Sequence, residues 1–133
     1  ALRGVRVADV MSSDYATVDG HSNLQTFVEE HLARTGRRCF VVTFNGQAEG
    51  LITPNEIKAI QRARWPYTTI GDVMRPLNQV HTVAPNTPVS EALEVMARED
   101  LNQLAVMREG QLAGVISRGH VLQLLRTRAE LQV

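Results

Sequence analysis

Apolar residues recur with helical spacing at two places in the chain, and this spacing predicts an amphipathic helix at each place. The two apolar stripes are Leu24, Phe27, Val28 and Leu32 in the first half and Val89, Ala92, Leu93 and Met96 in the second. Shorter helical patterns follow in each half, formed by Ile57 and Ile60 in the first and by Val121, Leu124 and Leu125 in the second. Each half is therefore expected to contain two helices.

Between these helices, each half has two short apolar runs that predict a pair of strands around a tight turn. The first pair, "CFVVTF" and "EGLIT", turns at Asn45-Gly46, and the second pair, "LAVM" and "AGVIS", turns at Glu109-Gly110. Asn-Gly is a strong hairpin signal and Glu-Gly a weaker one. A β-branched stretch, "ATV" or "VHTV", precedes the first helix of each half. The predicted order in each half is β-α-β-β-α.

The two halves also share sequence, which indicates an internal repeat. "VADVM" at Val7 to Met11 matches "IGDVM" at Ile70 to Met74, and the phrase "GLITPNEI" that begins at Gly50 matches "GVISRGHV" at Gly114. We predict one repeat over 7–60, a second over 70–128 and a connector over 61–69. A lone repeat of about 60 residues buries little surface. We therefore expect an α/β (α+β) protein whose two β-α-β-β-α repeats pack as one globule with pseudo-two-fold symmetry and self-associate as a homodimer.

Composition excludes several functional classes. The 133 residues carry 14 basic and 14 acidic side chains, so a nucleic-acid partner is not expected. The single cysteine, Cys39, cannot form an internal disulfide. No apolar run approaches the length of about 18 residues needed for a membrane span. Because the sequence begins Ala-Leu-Arg without an initiator Met, we expect it to be a segment of a longer protein.

Several helix starts carry capping signals. Thr53 and Glu56 form a T-x-x-E capping box with proline at the first helical position, and Ser117 is a good N-cap in the second repeat. Two further N-caps are predicted at the first helix of each half. These are Ser22, in a capping box with Gln25, and Thr87, followed by Pro88.

The DVM start, the Thr-Val strand, the repeated glycine phrase and the tandem spacing together resemble a pair of cystathionine-β-synthase (CBS) domains. The resemblance covers roughly Val7 to Leu125. The stretches "LRGVRVADVM", "HLARTGRRCFVV" and "RARWPYTTIGDVMRPL" look like the cytosolic CBS pair at the C-terminus of bacterial site-2-type intramembrane zinc metalloproteases. That resemblance implies a segment on the cytoplasmic face, joined to the membrane only through the rest of its parent protein.

The resemblance also implies a binding site for AMP, ADP or ATP in each repeat. In ligand-binding CBS domains an aspartate at the end of the glycine phrase binds both ribose hydroxyls, and the Thr or Ser hydroxyl approaches the phosphate. The matching residues here are Thr17, Thr53 and Glu56 in the first repeat and Thr82, Ser117 and His120 in the second. Glu56 keeps the carboxylate with an added methylene, whereas His120 cannot accept two hydroxyl hydrogens as a carboxylate can. Arg34, Arg37 and Arg38 are either phosphate contacts or a solvated cluster at a helix end.

Two functions remain open from the sequence. The first is a regulatory module that senses an adenine nucleotide and biases an attached domain. The second is a module that has lost its ligand and dimerises to hold the parent protein in register. The histidines have no metal-binding spacing and no catalytic motif is present, so neither a cofactor nor catalysis is expected within this segment. Zinc would belong only to the parent protease.

Overall fold

The computed structural model describes residues 2–133, which contain six α-helices, seven β-strands and two short helices of other types. In chain order the elements are α1 (Val7–Val10), β1 (Thr17–Asp19), α2 (Leu24–Phe27), a π-helix (Val28–Leu32), β2 (Phe40–Phe44), β3 (Gln47–Ile52), α3 (Pro54–Lys58), a 3₁₀-helix (Arg62–Tyr67), α4 (Ile70–Val73), β4 (Arg75–Pro76), β5 (Thr82–Val83), α5 (Val89–Arg98), β6 (Gln103–Arg108), β7 (Gln111–Ser117) and α6 (Arg118–Leu131). The order β-α-β-β-α occurs twice, as the hydrophobic pattern predicts.

The chain divides into two compact units that differ from the two sequence repeats. Unit 1 combines the chain up to Asp14 with His81–Val133, and unit 2 is Tyr15–Val80. The predicted repeats 7–60 and 70–128 describe the duplication of sequence, whereas the units describe which residues pack together. Each DVM segment therefore packs with the strands of the other repeat: α1 belongs to unit 1 and α4 to unit 2.

Unit 2 is built on a four-stranded sheet in the order β1-β2-β3-β4. Strands β1 and β2 are parallel, and the other neighbours are antiparallel. Backbone hydrogen bonds hold α4 to this sheet's connections: the N–H of Ile70 donates to Ser22 O (2.8 Å) and the N–H of Gly71 to Gly20 O (2.9 Å). The buried core of this unit comprises Val18, Leu24, Phe27, Phe40, Val42, Ile52, Ile57 and Ile70.

Unit 1 is built on a three-stranded sheet in the order β5-β6-β7. Ser12 forms an isolated antiparallel bridge with Val115 of β7, which is the position that β4 takes in the other sheet. Helix α1 is anchored in the same way as α4, because the N–H of Val7 donates to Thr87 O (2.8 Å). The buried core comprises Val7, Val10, Val83, Val89, Ala92, Val95, Met96, Leu104, Val106, Ile116 and Val121.

Both predicted hairpins are confirmed, and both use the same backbone conformation. Asn45 and Gly46 have φ of 50° and 80°, and Glu109 and Gly110 have φ of 51° and 78°. Positive φ at both central residues is typical of a type I′ turn, which matches the right-handed twist of the flanking strands. Asparagine tolerates this left-handed conformation better than glutamate does, because a short polar side chain can hydrogen-bond locally.

Two predicted helix caps are wrong. Asn23, not Ser22, is the N-cap of α2, and its side chain accepts the N–H of Thr26 at 2.9 Å. At α5 the N-cap is Pro88, without a side-chain hydrogen bond. The hydroxyl of Thr87 instead accepts the N–H of Ala84 at 3.0 Å and so stabilises the preceding turn.

Candidate functional site

The predicted residues of the first repeat lie at one edge of the unit 2 sheet. Thr17 begins β1 and pairs with Val41, which in turn pairs with Leu51 of β3. Because β3 runs antiparallel to β2, the end of β3 lies beside the starts of β1 and β2. Thr53 and Glu56 follow the end of β3 directly. The topology therefore brings the start of β1 and the glycine phrase to the same sheet edge.

At this edge the carboxylate of Glu56 is already engaged by its own helix start. Glu56 Oε1 accepts the N–H of Thr53 at 2.7 Å and the hydroxyl of Thr53 at 2.8 Å. The Thr53 hydroxyl also accepts the N–H of Asn55 at 3.2 Å. Thr53 is only 3% exposed. The predicted capping box is thus confirmed, and it uses the two polar side chains that the resemblance assigns to a ligand.

The second carboxylate oxygen of Glu56 faces a cation that the sequence did not reveal. Arg75 Nε lies 3.4 Å from Glu56 Oε2, and the two side chains are 17% and 14% exposed. Arg75 Nε is nevertheless buried without a hydrogen-bond partner within residues 2–133. The pair is therefore a close ion contact rather than an aligned hydrogen bond.

Strand β4 positions Arg75. Arg75 pairs with Leu51 and Pro76 pairs with Gly50, so the residues after the DVM segment pair with β3, which ends immediately before Thr53. A Cβ on Gly50 would lie 2.4 Å from Met74 Sδ and 2.9 Å from Arg75 O. Only glycine permits this approach, and we conclude that Gly50 serves the pairing that places Arg75 beside Glu56.

Cys39, immediately before β2, belongs to the same surroundings. Burial raises the pKa of its thiol to about 11, while the positive charge of Arg75 opposes this rise and the negative charge of Glu56 adds to it. A thiol with such a pKa is protonated and unreactive at neutral pH. Cys39 is a free, half-buried cysteine.

Unit 1 repeats the arrangement without its charges. Thr82 begins β5, and Ser117 caps α6 by accepting the N–H of His120 at 3.2 Å, which confirms Ser117 as an N-cap. The imidazole of His120 is exposed. Gly114 approaches the segment after α1 as Gly50 approaches β4, since its Cβ would lie 2.7 Å from Ser12 O. Ser12 therefore occupies the place of Arg75, and His120 that of Glu56.

The other residues considered in the sequence analysis lie apart from this site. Arg34, Arg37 and Arg38 are all exposed. Within residues 2–133 no group of three His, Cys, Asp or Glu side chains could hold a metal ion, and no helix has the length and apolarity to cross a membrane. Unit 2 also has an open cleft of about 650 Å³ beside the 3₁₀-helix, lined in part by Arg64, Tyr67 and Asp72. None of the predicted ligand residues lines it.

The duplicated sheets, each with a glycine phrase beside a DVM segment, define a tandem CBS-domain protein. Residues 7–62 and 70–127 match the CBS domain family, and the chain belongs to that family.

Two solved CBS proteins share the fold. One is CBSX2 in complex with AMP, with a TM-score of 0.75 and 18% identity over 93% of this chain and 98% of that chain. The other is the CBS domain pair of MJ0100 in complex with 5′-methylthioadenosine and S-adenosyl-L-methionine, with a TM-score of 0.77 and 18% identity over the same shares. At these identities the likeness describes the fold alone.

A longer relative is known from Mycobacterium tuberculosis and is named "Putative zinc metalloprotease Rip3". It is 28% identical to this chain over 124 residues, which are 92% of this chain and 32% of the relative. The chain thus spans about a third of the relative's length. The likeness accords with the resemblance to the CBS pair of site-2-type proteases.

Proposed function

We propose that this chain is the regulatory CBS pair of a longer protein, that unit 2 binds one adenine nucleotide, and that the attached domain is a membrane zinc metalloprotease. The observation that carries the nucleotide assignment is the pair Thr53 and Glu56, a hydroxyl and a carboxylate at the sheet edge of unit 2. The AMP complex of CBSX2 supports adenine nucleotides as the ligand class. The name of the mycobacterial relative supports the protease as the attached domain.

Binding must compete with contacts that Glu56 already makes. A ligand that uses the Glu56 carboxylate for its ribose hydroxyls has to replace the donors from Thr53. Losing one charge-assisted hydrogen bond costs about 1.5–3 kcal/mol, which lowers affinity about tenfold to hundredfold. We therefore expect weaker binding than at a site with a free carboxylate. No second nucleotide is expected in unit 1, where Ser12 and His120 provide no carboxylate.

Regulation follows if the nucleotide prefers one arrangement of the module over another. A ligand shifts a conformational equilibrium only as far as its affinities for the two states differ. The contacts of Glu56 supply such a difference, because the carboxylate is either bound to Thr53 or available to the ligand.

Thermal unfolding with AMP, ADP and ATP tests the nucleotide assignment. A ligand at a hundredfold excess over its dissociation constant stabilises the folded state by about 2.7 kcal/mol, which corresponds to several degrees in a domain of this size. Glu56→Ala should abolish the shift. Glu56→Asp should enlarge it, because the shorter side chain reaches Thr53 and Arg75 less well. Absence of any shift at millimolar nucleotide, in the wild type and Glu56→Asp alike, would remove the nucleotide from the proposal.

A second candidate function is assembly without a ligand. It is favoured by the satisfied carboxylate of Glu56 and by large apolar side chains that remain exposed at the end of the chain: Leu122, Leu131 and Val133 are 44%, 66% and 75% exposed. Such a module would dimerise and hold its parent protein in register. A dimer in sedimentation at tens of micromolar, together with no nucleotide response, would favour this function over the first.

A further inference from the structure

Arg75 has the features of a ligand-binding residue, although the internal repeat of the sequence does not predict it. Its side chain is 17% exposed, and its Nε is buried without a hydrogen-bond acceptor within residues 2–133. A buried donor without an acceptor is unfavourable, and such groups in native proteins call for a specific explanation. Among the described residues, the carboxylate in ion contact with Arg75 is that of Glu56, at 3.4 Å.

Arg75 and the ribose hydroxyls of a ligand would use the same Glu56 carboxylate, so the charge of the ligand determines whether Arg75 keeps a counter-ion. If the Glu56 carboxylate turns to the ribose hydroxyls of an adenine ligand, Arg75 loses its counter-ion while it remains largely buried. Leaving one member of a buried ion pair uncompensated is strongly unfavourable. A ligand with an anionic group can replace Glu56 as the partner of Arg75, and phosphate oxygens match the donor geometry of a guanidinium. A neutral nucleoside cannot do this. S-adenosyl-L-methionine has a positive sulfonium at the ribose 5′ position, where AMP has its phosphate, and its carboxylate lies at the far end of the methionine side chain beside an ammonium group.

The ion contact between Arg75 and Glu56 has no counterpart among the matching residues of unit 1. The residue that corresponds to Arg75 in unit 1 is Ser12, which bridges to Val115 as Arg75 pairs with Leu51. Serine carries no charge and His120 replaces the carboxylate. The two units thus differ at the positions that would distinguish an anionic ligand from a neutral one.

We propose that Arg75 receives the phosphate at the ribose 5′ position, so that unit 2 takes an adenine nucleotide in preference to a neutral adenine nucleoside or to S-adenosyl-L-methionine. This inference rests on the proposed function, because it assigns a specificity residue to the same site.

Calorimetric titration of the whole chain with AMP, adenosine and S-adenosyl-L-methionine tests the inference. In the wild type we expect AMP to bind at least about tenfold more tightly than adenosine, which is the difference expected for one charge-assisted hydrogen bond. S-adenosyl-L-methionine should bind no better than adenosine. Arg75→Gln should lower AMP affinity to the adenosine level while adenosine affinity stays equal or rises, since Glu56 is then free of its counter-ion.

Two further variants keep the test independent of folding. Arg75→Lys retains the charge and should restore part of the preference for AMP, which a purely structural role of Arg75 would not do. Arg64→Gln removes an exposed arginine of the same unit and should leave the preference unchanged. If the wild type binds AMP and adenosine equally, or if Arg75→Gln keeps the preference, the inference is wrong while the proposed function stands. If no adenine compound binds at millimolar concentration, the proposed function fails and the inference fails with it.

Discussion

Replacing Glu56 by alanine should destabilise the unliganded chain much more than the loss of a helix cap would. Two hydrogen bonds from Thr53, at 2.7 and 2.8 Å, end on Glu56 Oε1, and Arg75 Nε lies 3.4 Å from Oε2. A cap alone contributes about 1 kcal/mol. Removing one member of a buried ion pair costs about 3–5 kcal/mol, and some solvent reaches this pair, so we expect a total loss of about 3 kcal/mol.

Urea unfolding of four proteins measures this loss and its origin. The set consists of the wild type, Glu56→Ala, Arg75→Ala and the double variant, and a double-mutant cycle isolates the coupling between the two side chains. We expect a coupling energy of at least about 1 kcal/mol and a melting temperature lowered by about 10 °C in Glu56→Ala. His120→Ala is the matched control, because the exposed imidazole of His120 caps nothing with its side chain. It should change stability by less than about 0.5 kcal/mol.

The ion contact is refuted as a stabilising interaction if the coupling energy between Glu56 and Arg75 is below about 0.5 kcal/mol. A loss in Glu56→Ala of only about 1 kcal/mol would mean that the capping box accounts for the whole effect. An equal loss in His120→Ala would mean that the two units do not differ at this position.

Three other predictions concern folding and stability. A fragment of residues 15–80 contains all of unit 2 and should unfold cooperatively when followed by circular dichroism, whereas a fragment of residues 7–62, which lacks α4 and β4, should not. Equal melting of both fragments would contradict the division into units. The pKa of Cys39 is raised to about 11 in the folded state, so the free energy of unfolding of the wild type should fall by up to about 2–3 kcal/mol relative to Cys39→Ala as pH rises from about 9 to 11. If denaturant titrations show the same pH dependence of this free energy for both proteins, the pKa of Cys39 is not raised. Glu109→Asn should raise the melting temperature, because asparagine accepts positive φ more readily, and Asn45→Glu should lower it; calorimetry showing opposite signs would contradict the turn assignment.

Local sequence signals predicted the parts of the fold that depend on near neighbours. The Asn45-Gly46 turn and the Thr53–Glu56 capping box each involve residues within four positions of one another, and both are confirmed. At α2, Ser22 and Asn23 are both good caps, so the local pattern could not choose between them. The choice depends on the N–H of Leu24, which donates to Thr68 O at 2.9 Å from a distant part of the chain.

The site itself could be predicted only in part. The repeat identified Thr53, Glu56 and their counterparts Ser117 and His120, but it did not reveal Arg75. The pairing of β4 with β3 brings Arg75 to Glu56, and this strand of two residues carries no periodic signal. One clue was present, since Arg75 and Ser12 follow the two DVM segments directly and differ in charge. This difference in charge can be interpreted only once the fold shows that Arg75 contacts Glu56.

The stoichiometry of AMP binding distinguishes one nucleotide site from two, and we propose that the nucleotide binds to unit 2 alone. Isothermal titration of the whole chain with AMP should give about one nucleotide per chain, and Glu56→Ala should abolish the binding heat while His120→Ala leaves it unchanged. Two nucleotides per chain, or binding that survives Glu56→Ala, would contradict the account.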